Sequence, residues 1–287
     1  MTILEMDLPC LSCPRCRGGL AAIEGSLQCD RCHAIFEARD GIPDLFPWSG
    51  GAPGPEWADW RRKLELLQQW RRSTWDGSAA SRDRQKVADD LAAGFFRFQR
   101  VPETGPVLDV GCGSGDLRRH MPRRRYFGLD PLLATAETPL SFEGTTRPVF
   151  LRGVGERLPL ADSMFETVLL CEILDHSLDP VKVISEARRV LKPGGLLAVM
   201  QSVALSVPAP PLHVRARVFA GKLKAKLAGR SLVKDADTKM HVLTQDSLVA
   251  MLNEQMLVES GVTHASTMFL RALKHEPGAP RPSKRDV

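Results

Sequence analysis

From Pro106 onward, short apolar runs alternate with amphipathic stretches. The runs near 106–110, 126–130, 148–152, 165–171 and 195–203 read as buried strands, and the stretches near 115–121, 132–138 and 180–191 as helices. Such alternation predicts an α/β domain, with a parallel sheet covered by helices on both faces. A helix near 245–254 and two strands near 256–263 and 266–273 close it. Upstream, Trp57, Trp60, Leu64, Leu67 and Arg71 recur at helical spacing, as do Val87, Leu91, Phe95 and Phe98. Residues 1–47 show no helix period, only strand-like pieces among Cys, Gly and Arg, and Ser49 to Pro55 reads as a linker. The expected organisation is a small module at 1–47, a linker and Trp-rich helical region at 48–100, an α/β domain at 101–275 and a disordered tail at 276–287.

All five tryptophans lie between Trp48 and Trp75. Their plainest use is packing the helices onto the main domain, and a sharper one is walling a substrate pocket; the two are compatible.

At 287 residues the chain accommodates one ordinary α/β domain and an appendage, and 43% apolar with 25% charged residues is globular composition. A net charge of +5 names no partner. No apolar run approaches bilayer length and Met1 to Leu8 lacks the features of a signal peptide, so a cytoplasmic location is expected. Five of the seven cysteines fall between Cys10 and Cys32, which points to metal binding rather than disulfides.

The densest chemical signal is Val107-Leu108-Asp109-Val110-Gly111-Cys112-Gly113-Ser114-Gly115. An apolar strand runs into glycines spaced G-x-G-x-G, where the backbone must turn sharply and approach a ligand without a Cβ in the way. The dinucleotide fingerprint G-x-G-x-x-G puts its third glycine one residue later, and this spacing does not fit it. A second strand ends in Asp130, 15 residues after Gly115. A carboxylate there suits the hydroxyls of a ribose; the plainer role is a cap at Pro131.

With these residues the chain resembles the class I S-adenosylmethionine (SAM)-dependent methyltransferases, in their ubiquinone/menaquinone-methyltransferase-like branch. The resemblance covers roughly 105–200 and continues through Gly155-Glu156-Arg157-Leu158-Pro159-Leu160, Ile173-Leu174-Asp175-His176 and Glu186 to Gly195. It implies a Rossmann-like, seven-stranded methyltransferase sheet. It also implies that Asp109, Gly111, Cys112, Gly113 and Gly115 cradle the amino-acid end of SAM, with Asp109 binding its ammonium or ordering the loop. By the same resemblance Asp130, with Pro131, holds the ribose, Gly155 and Glu156 border the adenine, and Cys171 lies near the sulfonium. Where the family often has an acid for the adenine amino group, this chain has Val154. Cys112 and Cys171 otherwise read as small buried residues.

Cys13-x-x-Cys16 and Cys29-x-x-Cys32 form two knuckles 12 residues apart, a donor set for tetrahedral Zn²⁺ in a closed, structural site. Cys10 permits an alternative pairing with Cys13. With Phe36 to Leu45, this zinc ribbon resembles the one ahead of some rRNA guanine methyltransferases and in small tRNA-methyltransferase activator proteins. That keeps RNA open as a partner, with Arg15, Arg17 and Arg31 as phosphate contacts.

Methyl transfer needs alignment first and a base only when the acceptor must lose a proton. His176, after the fourth strand, and His241, before the late helix, are the candidates, each with a packing role as its plainer use. Within an insertion at 203–240, His213 to Lys234 carries seven Lys/Arg and no acid: a solvated helix face, an anion-binding lid, or a contact for RNA or a membrane surface. The expected function is methylation of a small-molecule metabolite, an anionic one among the options. An rRNA or tRNA base methyltransferase and a non-catalytic SAM-binding scaffold are the alternatives.

Overall fold

The computed structural model describes residues 5–48, 54–74, 79–133, 146–204 and 238–275. The N-terminal module has four antiparallel strands in sequential order: β1 (Leu20–Ile23), β2 (Ser26–Cys29), β3 (Ile35–Arg39) and β4 (Ile42–Pro43). Helices α1 (Gly54–Thr74) and α2 (Ala79–Gln99) follow, then strands β5 (Val107–Val110), β6 (Tyr126–Leu129), β7 (Val149–Leu151) and β8 (Phe165–Cys171). Helix α3 (Pro180–Val190) leads to β9 (Leu191–Ser202), and α4 (Gln245–Asn253) to β10 (Leu257–His264) and β11 (Thr267–Leu273). The second sheet is seven-stranded, ordered β10-β11-β9-β8-β5-β6-β7. Strands β5 to β9 pair in parallel, while β11 runs antiparallel to both β9 and β10. This is the expected Rossmann-like methyltransferase sheet.

Strict alternation along the central strands divides the interior in two. Leu108, Val110, Val168, Leu170, Leu197 and Val199 point to one face, where Val183 and Ile184 of α3 and Leu248 of α4 meet them. Val107, Leu169, Leu196 and Ala198 point to the other, beneath Phe95 of α2. On α2 the predicted stripe shifts: Val87 is exposed, and Gln99 takes the buried position because its amide donates to the Leu270 and Val199 carbonyls. Capping sets the starts of α3 and α4. Asp179 accepts from the Lys182 N–H ahead of Pro180, and Thr244 forms a reciprocal pair with Ser247.

The predicted helix at 115–121 is one 3-10 turn, Asp116–His120, because Gly115 enters it at φ +82° and Pro122 follows it closely. The predicted helix near 132–138 falls largely outside the described residues, as do 205–237, with most of the basic insertion, and the tail from 276.

The cysteine-bearing module is built into the main domain. Leu11, Leu20, Leu27, Phe36 and Leu45 belong to the same apolar cluster as the first face of the large sheet. Just after β4, Asp44 forms a parallel bridge to Arg152, extending β7, the last strand of that sheet. An exposed sheet edge invites pairing with other chains, and here the module covers it. Phe36→Ala, at a site only 2% exposed, is expected to cost about 3–5 kcal/mol. Because the core is shared, urea unfolding followed by fluorescence should show one transition moved as a whole, rather than a separate early transition of the module.

Candidate functional site

Strand β5 occupies the switch point of the sheet, with β6 and β7 on one side and β8 and β9 on the other. Ligands of open α/β sheets bind outside the strand ends at such a point. A cavity of about 520 Å³, counted to its open mouth, lies here. Gly111, Asp130 and Pro131 line it from the ends of β5 and β6, and Val154, Gly155 and Glu156 from the segment after β7. Glu172, Ile173, His176 and Ser177 line it from beyond β8, and Trp60, Leu64 and Leu67 of α1 from above.

The glycine loop needs its glycines. Gly111, Gly113 and Gly115 have φ of +75°, +56° and +82°, a region side chains rarely adopt. A Cβ on Gly115 would also lie 2.9 Å from Phe150. Asp130 pins the loop: one carboxylate oxygen accepts from the Gly113 N–H at 3.0 Å and the other from the Leu132 N–H at 2.8 Å. Asp130 thus both lines the cavity and holds the backbone of the two segments beside it. Asp109 lies beneath the loop, outside the cavity lining, and accepts the Tyr126 hydroxyl at 2.7 Å. Burial raises its pKa to about 7, against the lowering effect of that hydrogen bond.

Glu156 lines the cavity, but one carboxylate oxygen already accepts the Leu178 and Asp179 N–H groups, at 2.6 and 3.3 Å. Burial holds its pKa above the ordinary value. Of the other sequence-predicted residues, Cys112, Gly113, Gly115 and Cys171 stand behind the lining, and burial pushes the Cys171 thiol well up. The two histidines separate. His176 lines the cavity, with Nδ1 3.2 Å from the Thr238 carbonyl and Nε2 3.8 Å from the buried Asp175 carboxylate. His241 is not a lining residue, and its Nε2 lies 3.2 Å from the Leu178 carbonyl. Lys239 pairs with Asp175 at 2.7 Å, and Trp60 donates to the His176 carbonyl.

Sequence reasoning missed Glu172. Its backbone is left-handed (φ +53°), and its carboxylate accepts the Ser202 hydroxyl and N–H at 2.9 and 3.1 Å. Nothing in the residue pattern separates it from its neighbour Cys171. Among the described tryptophans, Trp57 packs against Trp48 and stacks on Trp60, and Trp60 faces the cavity.

The Sγ atoms of Cys13, Cys16, Cys29 and Cys32 all lie within 4.8 Å of one another, with Cys13–Cys32 at 3.7 Å and Cys16–Cys29 at 3.4 Å. Tetrahedral thiolates on Zn²⁺, each at about 2.3 Å, stand about 3.8 Å apart, so the set fits such an ion. Both knuckles direct a backbone N–H at their first sulfur, from Arg15 to Cys13 and from Arg31 to Cys29, each at 3.4 Å. Cys10 lies beside Arg125, outside the set. Arg17, a proposed phosphate contact, is committed inward to the Leu158 carbonyl and Glu186.

Residues 108–199 match the protein family described as "Methyltransferase domain". The ubiquinone biosynthesis O-methyltransferase of Cereibacter sphaeroides is 31% identical over 119 residues, 39% of this chain and 48% of that protein. The tRNA U34 carboxymethyltransferase of Shewanella loihica is 32% identical over 152 residues, 47% of this chain and 43% of that protein. The chain spans about half the length of the curated relatives it matches. Among solved structures, a chain of the complex between the Haloferax volcanii Trm112 methyltransferase activator and a methyltransferase shares the fold. Its TM-score is 0.53 at 16% identity, over 70% of this chain and 96% of that one. Residues 108–199 thus match a methyltransferase domain, and the chain shares its fold with that solved structure. No described helix is long and apolar enough to cross a membrane.

Asp109 allows a test independent of any ligand. Its pKa rises from 3.8 to about 7 on folding, so between these values the native state holds a proton that the unfolded chain has lost. Its contribution to stability therefore falls as pH rises through that window and is level above it. Asp109→Asn keeps an acceptor for Tyr126 and removes this dependence. Urea denaturation in pH steps should show the wild type losing on the order of a few kcal/mol relative to the variant across the window.

Proposed function

We propose that the protein is a SAM-dependent methyltransferase acting on a small molecule. The observation that carries this reading is the cavity itself. Its described lining holds three carboxylates, Asp130, Glu156 and Glu172, and no Lys or Arg, under an apolar roof of Trp60, Leu64 and Leu67. Acid lining favours a cationic ligand such as a sulfonium, and a roofed pocket suits an acceptor of metabolite size. The three carboxylates of the described lining favour a neutral or cationic acceptor over an anionic one.

When bound, SAM supplies an activated methyl on its sulfonium. The protein's part is binding and alignment, worth on the order of 7–11 kcal/mol when geometry is held well. Asp130 accepts the ribose hydroxyls while keeping Gly113 and Leu132 in place. The Gly111–Gly115 turn takes the amino-acid end, with Asp109 ordering it from below. Val154 and Gly155 border the adenine; with Glu156 engaged by the N–H groups of Leu178 and Asp179, the contact there is chiefly apolar. Cys112 and Cys171, behind the lining, would back the part of the pocket that takes the sulfonium. His176 orients the acceptor, or takes its proton where one must leave. His241 braces the same turn through Leu178. The four cysteines hold one structural Zn²⁺.

Methylation of RNA is the second reading, favoured by the resemblance to a tRNA-modifying enzyme and weakened by the inward commitment of Arg17. Incubation with methyl-labelled SAM and fractionated cell extract separates the two. Label should enter small molecules; label in RNA alone overturns the assignment, and binding of SAM without transfer to any fraction supports a scaffold. Asp130→Ala should weaken SAM binding by about tenfold or more in calorimetry. Metal analysis should return one zinc per chain, lost in Cys29→Ser.

A further inference from the structure

The cavity wall formed by Val154, Gly155 and Glu156 belongs to a segment held at both ends by the cysteine module. Before it, the Arg152 N–H donates to the Pro43 carbonyl at 2.9 Å and the Leu45 N–H to the Arg152 carbonyl at 2.8 Å. The Arg152 guanidinium also pairs with Asp44 at 2.9 Å. After it, Ser12 donates its N–H to the Pro159 carbonyl and its hydroxyl to the Leu160 carbonyl, each at 3.0 Å. The Ala161 N–H donates to the Cys10 carbonyl at 2.9 Å, and Arg157 donates to the Arg15 carbonyl.

The joint at this second end is Arg17. It follows Cys16 directly, at φ +68°, and its N–H donates to the Cys13 carbonyl at 2.9 Å, so the first knuckle sets its position. Its guanidinium donates to the Leu158 carbonyl at 2.7 Å and to Glu186 at 2.6 Å. Glu186 in turn accepts the Leu158 N–H at 2.9 Å. Arg17 thus ties knuckle, pocket segment and α3 into one hydrogen-bonded unit.

We propose that the module is a positioning element of the cofactor pocket, with Arg17 as a positioning residue. It fixes the pose of Val154, Gly155 and Glu156, and cofactor affinity depends on the intact first knuckle. This rests on the SAM-binding reading for the ligand alone. The clamp on 152–161 is a property of the chain itself.

The test measures full-length wild type and Arg17→Ala for zinc content, thermal midpoint, SAM affinity by calorimetry and hydrogen exchange by mass spectrometry. Arg17→Ala should retain its zinc and bind SAM about tenfold more weakly, with faster exchange confined to 153–161. Arg17→Lys, which still reaches the Leu158 carbonyl, should recover part of the affinity. Arg39→Ala, on the module's exposed strand, should match the wild type. Should Arg17→Ala fail to fold, Ser12→Ala removes one clamp bond at the same end and should give a smaller change of the same kind. Chelation followed by zinc restoration should lower and then restore the affinity. Unchanged affinity and exchange in a folded Arg17→Ala or Ser12→Ala protein overturn the proposal. A wild type that binds no SAM, with exchange at 153–161 still rising in Arg17→Ala, overturns the cofactor reading and leaves the clamp standing.

Discussion

The constraint on which this structure depends is the divergence at β5. Its two neighbours, β6 and β8, are reached by chain running in opposite directions along the sheet, so the space beyond its end cannot be filled by a crossover. The chain must leave β5 by a turn tight enough to keep that space open, hence three glycines with positive φ in five residues. The three glycines themselves bring no side chains to stabilise it. Asp130, at the end of the adjacent strand, does so through its hydrogen bond from Gly113. Cavity, loop and buried acid are thus three aspects of one topological fact.

Burial of acids around the opening gives the site its electrical character. Asp109, Glu156 and Glu172 are all held above their ordinary pKa by desolvation, and each is fastened by a neutral hydrogen-bond donor rather than a cation. For Glu156 and Glu172, which line the cavity, hydrogen bonding to neutral donors leaves the carboxylate charge uncancelled by an ion pair. Asp109 instead lies beneath the loop and favours its neutral form. Asp175 is the exception, paired with Lys239, and it stands outside the lining.

Much of this was legible in the residues, for identifiable reasons. The strands announced themselves because parallel strands buried on both faces read as apolar runs, and the glycine turn because only one residue type suits its backbone. The four cysteines were legible from spacing alone. The destination of a side chain was not. The face carrying Trp57, Trp60, Leu64 and Leu67 follows from periodicity, but that it roofs the cavity depends on how α1 crosses the sheet. Arg17 could not be distinguished from the arginines around it, because its partners Leu158 and Glu186 lie 141 and 169 residues away. Glu172 was invisible because its unusual backbone conformation belongs to a residue type that gives no hint of it.

The bridge between Asp44 and Arg152 has a consequence for the order of assembly. Its two sides lie 108 residues apart, so during synthesis the module emerges long before the strand it must cover. A partly made sheet would offer its raw edge to any neighbouring chain, a hazard of slow, non-local strand pairing. Because module and sheet share one core, the module's strand is in place for β7 only as the two pack together. Pairing with β7 covers this edge, while β8 to β11 extend the sheet on its other side.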